Sequence, residues 1–203
     1  MLGFFKKKTP KVELQNAFQK MEKLLSDDDM QIRILGPQVY AQFRSLTAID
    51  QHPKGEGEFG RSLKNPIPTN GPIGSIAYLS SLGTISGHIV LFHRLKMFDD
   101  IDVYEFVALS GDVWGLLFVD MYHSRKSRRV PDGFKKLSGS QQLIGFNHFW
   151  DDFPLGFAEQ KQAVPADLRM LYAPISTVEQ EMRGRTFKRP TLHNLLIQSI
   201  LAS

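Results

Sequence analysis

Glu105 and Asp120 are the two residues of this 203-residue chain whose type and spacing most directly suggest chemistry. They stand in consecutive runs rich in β-branched and aromatic residues, "DVYEFVALSGD" (102–112) and "VWGLLFVDMYHS" (113–124), joined at Gly111-Asp112, a dipeptide suited to a two-residue hairpin turn. A tight turn there pairs Leu109 with Trp114, Val107 with Leu116, Glu105 with Phe118 and Val103 with Asp120. The two acids then become diagonal neighbours on one sheet face, roughly 5–8 Å apart. Carboxylates that close split their pKa values and can share acid and base roles, or hold a divalent ion. A third run, "GHIVLFHRLKMF" (87–98), adds Arg94. With a symmetric connection over 96–101, Arg94 opposes Val103 and lies diagonal to Glu105, whereas a one-residue slip brings His93 there instead. In an enzyme reading Glu105 and Asp120 are acid and base, and Arg94 polarises a phosphate or amide substrate for hydrolysis. In a structural reading the same three residues form an ion-pair cluster. Either way a buried carboxylate requires a partner.

Other acid and histidine groupings are weaker. In "DMYHS" strand alternation puts His123 on the face opposite Asp120, which makes them poor co-ligands. In "HFWDD" a helix would bring His148 beside Asp151 or Asp152, a tolerable ligand spacing that lacks a third partner. Cysteine is absent, which removes disulfides, thiolate catalysis and sulfur-ligated zinc. Neither a Gly-x-Ser-x-Gly elbow nor a phosphate-binding loop ending in Gly-Lys-Ser/Thr occurs. The sequence therefore points to no metal ligand set and no cofactor.

The net charge of +4 is unevenly spread. Lys6–Lys8, the run from Arg125 to Lys136 and the run from Arg183 to Arg189 hold 13 of the 25 basic residues and one acid, leaving the remainder of the chain acidic. Arg125, Lys126, Arg128 and Arg129 are thus candidate contacts for an anionic small molecule or a protein partner. With the aromatics Phe146, Phe149, Trp150 and Phe153, such a run could also bind single-stranded nucleic acid. Rings plugging a core explain the same letters. Leu2, Phe4 and Phe5 before the first lysines could touch an anionic membrane surface peripherally, and residues 1–8 otherwise read as a flexible basic terminus.

These residues need a frame. Residues 48–71 lack a sustained period and read as a long loop, ending in "NPIPTNGP" (65–72), where proline stiffens each residue and its predecessor. Pro72 suits the first turn of a helix through Leu82, so Asn65, Thr69, Asn70, Gly71 and Ser75 cluster near its amino end as candidate anion or carbonyl contacts. Periodic apolar residues and capping signals predict helices over 12–25, from an N-cap at Ser26 through Leu35 and from Pro37, then from Pro165 and from Pro190, the last with Leu192, Leu195, Leu196 and Ile200 as its inward stripe. The meander at about 87–123 is apolar on both faces, so helices should cover both. The expectation is one α+β domain over 1–203, an antiparallel meander flanked by amino- and carboxyl-terminal helices. No run is long and apolar enough to span a membrane, and a cytoplasmic location is the default. The leading functional expectation is a non-catalytic binding or interaction module for an anionic ligand or protein partner. A Glu/Asp hydrolase and a nucleic-acid binder are the alternatives.

Overall fold

The computed structural model describes residues 19–20, 22–137, 145, 149, 151–155, 182 and 184–203. Its architecture is α+β. The main sheet has the order β1-β5-β4-β3, in which β3 (Val90–Phe98), β4 (Ile101–Ala108) and β5 (Trp114–Asp120) form the antiparallel meander. The short β1 (Ile67–Pro68) adds to β5 in parallel, pairing Ile67 with Val119 and Pro68 with Asp120. A small second sheet joins β2 (Leu82–Thr84) to β6 (Phe134–Lys136).

Helices lie against both faces, as the two apolar faces require. On one side α3 (Gly71–Ser80) is buried along nearly its whole length and packs Ile73, Ala77 and Leu79 among Phe92, Tyr104, Phe106, Leu117 and Val119. Helices α1 (Asp28–Arg33) and α2 (Pro37–Arg44) flank it, and α1 is capped by the Asp27 side chain, which accepts from the Met30 amide. On the other side α4 (Thr191–Ala202) sets Ile197 against Leu95 and Val103. No helix among the described residues is long and apolar enough to cross a membrane.

Three local expectations are corrected. The β4–β5 reversal is longer than two residues, because Leu109 gives its N–H to Ile89 and Ala108 closes the loop on Val113. Val107 consequently faces Trp114, Glu105 faces Leu116 and Ile101 faces Asp120, a register displaced by two residues. An even displacement keeps every side chain on its face while changing its neighbour. Glu105 and Asp120 still share a face, but Asp120 lies four positions beyond the residue opposite Glu105, roughly 13 Å along the strand. They are not diagonal neighbours and cannot act as an acid–base pair on one atom.

The β3–β4 turn is a two-residue reversal with Asp99 and Asp100 both at positive φ, and a bulge between Arg94 and Lys96 inserts one residue. That extra residue places His93 opposite Glu105 and turns Arg94 to Asp102, which it meets at 3.1 Å. Finally, α4 is rotated from its expected orientation. Leu192 is 81 % and Leu195 61 % exposed, whereas Ile197 is 1 % exposed. The rotation lets His193 reach Glu105, 2.9 Å away.

Candidate metal centre

The chain leaves the sheet after Asp120, and alternation ends with it. Thr69 gives its N–H to the Asp120 carbonyl and accepts one from His123, while Asn70 bridges Tyr122, so residues 121–123 follow the 68–70 segment instead of continuing β5. This bend folds His123 back onto the acid, and its Nε2 lies 3.0 Å from Asp120 Oδ2. The expectation that alternation keeps them apart is thereby corrected. The ring's other nitrogen, Nδ1, is 3.2 Å from the Thr47 carbonyl. A carbonyl can only accept, so Nδ1 carries the hydrogen, and in a neutral ring Nε2 then aims a lone pair at a carboxylate oxygen. Two facing lone pairs need a proton or a cation between them.

A third donor points at the same spot. His52 Nε2 is 3.3 Å from Asp120 Oδ2, is buried and has no hydrogen-bond partner among the described residues. The three ligand atoms, His52 Nε2, His123 Nε2 and Asp120 Oδ2, all lie within 4.8 Å of one another. Ligands about 2.1 Å from an ion, at tetrahedral or octahedral angles, stand roughly 3.0–3.4 Å apart, and both nitrogen-to-oxygen separations agree with that spacing. Burial pushes the His52 pKa down, and the neighbouring His123 adds to this against the attraction of Asp120, which favours a neutral ring able to donate a lone pair. Burial pushes the Asp120 carboxyl up, but the His123 contact and the Tyr122 amide, which donates to Oδ1 at 3.0 Å, leave it below the ordinary carboxylate range.

The basic run after His123 holds the His52 loop in place. Arg125 meets Asp50 at 2.7 Å, the Arg128 amide donates to the same Asp50 oxygen, and the Ser127 hydroxyl donates to the Asp50 carbonyl. Arg129 bonds the Gln51 side chain. The contact with Arg125, then that with Arg128, lowers the Asp50 carboxyl to about 2. Lys126 bonds Asp28 and Gln31. Arg125 and Lys126 are thus engaged within the protein, and Arg128 and Arg129 are exposed. The open side of His52 borders a cleft of about 450 Å³ that Lys54, Lys64 and Ile101 also line.

Glu105 is the contrasting case. Its side chain is fully buried and receives Arg189 through two bonds of 2.8 Å, His93 at 2.8 Å and His193 at 2.9 Å. Burial pushes its pKa up, and the hydrogen bonds from His193 and His93 with the charge of Arg189 more than reverse this, leaving it at about 2. His93 is sandwiched by rings, with Phe153 stacked 4.1 Å away and Phe149 at 5.6 Å. Phe153 and Arg189 both pack on Trp114.

The residues expected near the amino end of α3 are buried, and apart from the Asn65 and Asn70 side-chain oxygens their polar groups are bonded internally. Thr69 and Ser75 share a hydrogen bond of 2.7 Å, and Ser75 donates to the Gly71 carbonyl. Asn70 donates to Asp28 and Gln31, and Asn65 donates to Gly57. Gly74 follows from this packing, because a Cβ there would collide with the Asn70 side chain. Sequence reasoning missed His52, whose only signal is its place in the long loop. Residues 1–8, Phe146, His148, Trp150, Arg183 and the helix from Pro165 lie outside the described residues. Comparison with protein-family models, curated proteins and solved structures finds no match for this chain.

Proposed function

We propose that this protein binds a divalent first-row transition ion between His52, His123 and Asp120 and, through that ion, an anionic ligand. The observation that carries the reading is the His123 ring. Its Nδ1 hydrogen is committed to the Thr47 carbonyl, and its Nε2 faces a carboxylate oxygen at 3.0 Å. A backbone carbonyl on the far nitrogen is how metal-bound histidines are oriented. Two imidazoles and one carboxylate suit zinc, iron(II), cobalt or manganese and leave coordination positions free. The adjoining cleft supplies room for a ligand, and Lys54 and Lys64 on its wall favour a negative one, although Lys64 is also paired with Glu56 at 2.6 Å.

A second reading rests on the cleft beside His52. An ion open to solvent on that side would polarise a phosphoryl or carbonyl oxygen or lower the pKa of a bound water, which makes metal-dependent hydrolysis the enzymatic form of the same site. Glu105 and Arg94 have no part in it. Equilibrium dialysis against Zn²⁺ tests the binding: one tightly held equivalent is expected, with a raised melting temperature, and both effects vanish in His123→Ala. Retention of the full equivalent by His123→Ala would remove the basis for the reading. Metal-dependent turnover of p-nitrophenyl phosphate by the loaded wild type separates the enzymatic form from simple binding.

A further inference from the structure

A second cleft lies on the side of Leu63 away from His52. Because β1 is two residues long, it covers only the Val119–Asp120 end of β5. Nearer Trp114 no strand among the described residues lies along that edge, and the 59–63 segment runs beside it, with Gly60 accepting from the Phe118 amide. Between this edge and α4 is a cleft of about 500 Å³, a size ordinary for small-molecule sites. Its wall is apolar at Leu63, Phe98, Leu116 and Leu196, and among the described residues its titratable groups are Arg61 and His193.

Arg61 is the unexplained member. Its guanidinium lies over two edge-packed rings, 5.1 Å from the Phe106 centroid and 5.0 Å from that of Phe134. Among the described residues its side chain makes no hydrogen bond and no ion pair. Gly115 leaves space for both the guanidinium and the Phe106 ring opposite it: a Cβ there would lie 2.7 Å from Arg61 Nη1 and 2.7 Å from the ring. Glycine inside a strand marks such close approaches. A guanidinium remains charged in proteins, and this half-buried one, with no acid paired to it among the described residues, presents free donors at the cleft wall to an incoming acceptor. Burial pushes its pKa down, against the attraction of Glu58.

We propose that this cleft binds an amphiphilic carboxylate, its acid group held by Arg61 and its apolar body lying along Leu63, Phe98, Leu116 and Leu196. A single planar guanidinium matches a single carboxylate through two parallel hydrogen bonds. His193 commits Nε2 to Glu105, which leaves Arg61 as the dominant polar anchor. The site is independent of the metal centre, since none of its polar groups is a proposed metal ligand, and it is tested with metal-free protein.

The experiment is calorimetric titration with octanoate and with 1-octanol. Wild type should bind one octanoate saturably and at least about tenfold more tightly than 1-octanol, the worth of one charge-assisted contact. Arg61→Gln should erase that preference while retaining the alcohol's affinity. Equal affinity for acid and alcohol in wild type, no saturable octanoate binding, or a preference that survives in Arg61→Gln would each overturn the proposal. Should Arg61→Gln fail to fold, phenylglyoxal modification of wild type decides. Octanoate should slow the labelling of Arg61 severalfold and 1-octanol should not, and equal labelling rates would overturn the proposal.

Discussion

Glu105 and Asp120 occupy one face of one sheet, and each has two histidines against its carboxylate, yet their surroundings differ in a way that separates structure from function. Around Glu105 the set is closed: Arg189 takes both oxygens, His93 and His193 fill the remaining directions, and the side chain has no exposure. Around Asp120 the set is incomplete. No arginine or lysine joins it among the described residues, His52 Nε2 lacks a hydrogen-bond partner, and a cleft opens beside it. Burial opposes ionisation at both acids. At Glu105 an arginine supplies the compensating charge, whereas at Asp120 the compensation comes from His123 and the Tyr122 amide, and under the proposed reading a bound cation adds to it. Such a difference in saturation is a stronger guide to a site than residue type, because the two clusters are nearly the same in composition.

The comparison can be broken most forcefully at Glu105. Glu105→Gln leaves Arg189 and two histidines facing an amide, and loss of one member of a buried charged set costs about 3–5 kcal/mol. Urea denaturation should register this fully in metal-free protein, with no change in metal stoichiometry for whatever fraction stays folded. Acid should do the same more gradually. A carboxyl lowered from its ordinary 4.5 to about 2 in the folded state contributes stability that is complete above pH 4.5 and is lost as pH falls through about 2, on the order of 3 kcal/mol in all. Stability measured against pH should therefore decline across that window in wild type, and the decline should shrink in Glu105→Gln.

At the other acid the signs reverse. Asp120→Asn should weaken Zn²⁺ binding by at least about a hundredfold, beyond the loss typical of an outer partner, while changing metal-free stability by only about 1 kcal/mol. Dialysis and denaturation on the same preparation check both halves. A smaller effect is expected one layer out. Asp50→Asn removes the anion that Arg125 and the Arg128 amide hold, which should loosen the His52 loop and weaken the ion about tenfold. The smallest concerns α4, where Leu195→Ser should alter stability within about 0.5 kcal/mol although Ile197→Ala costs about 2–5.

Much of this frame was legible in the sequence. Three apolar runs with strand composition gave the meander, and the absence of a polar face on either side implied helices on both. Registers were not legible, because they depend on where single amides go. Leu109 bonds Ile89 and so lengthens one turn, and one inserted residue near Leu95 exchanges Arg94 for His93 beside Glu105. The rotation of α4 was hidden for a related reason: a stripe of leucines suggests one inward face, but the bond from His193 to a buried acid selects another. The Asp120 site was the least visible. Its histidines come from a loop and from a strand's overrun, and tertiary ion pairs of the basic run, which sequence reading assigned to a partner, bring them together.

X-ray absorption at the zinc edge of protein loaded with one equivalent of Zn²⁺ tests the central claim most directly. The account predicts two imidazole nitrogens and one carboxylate oxygen at about 2.0–2.2 Å, completed by water oxygen, with one imidazole lost in His52→Ala. A shell of oxygen alone, or a spectrum that His52→Ala leaves unchanged, would contradict it.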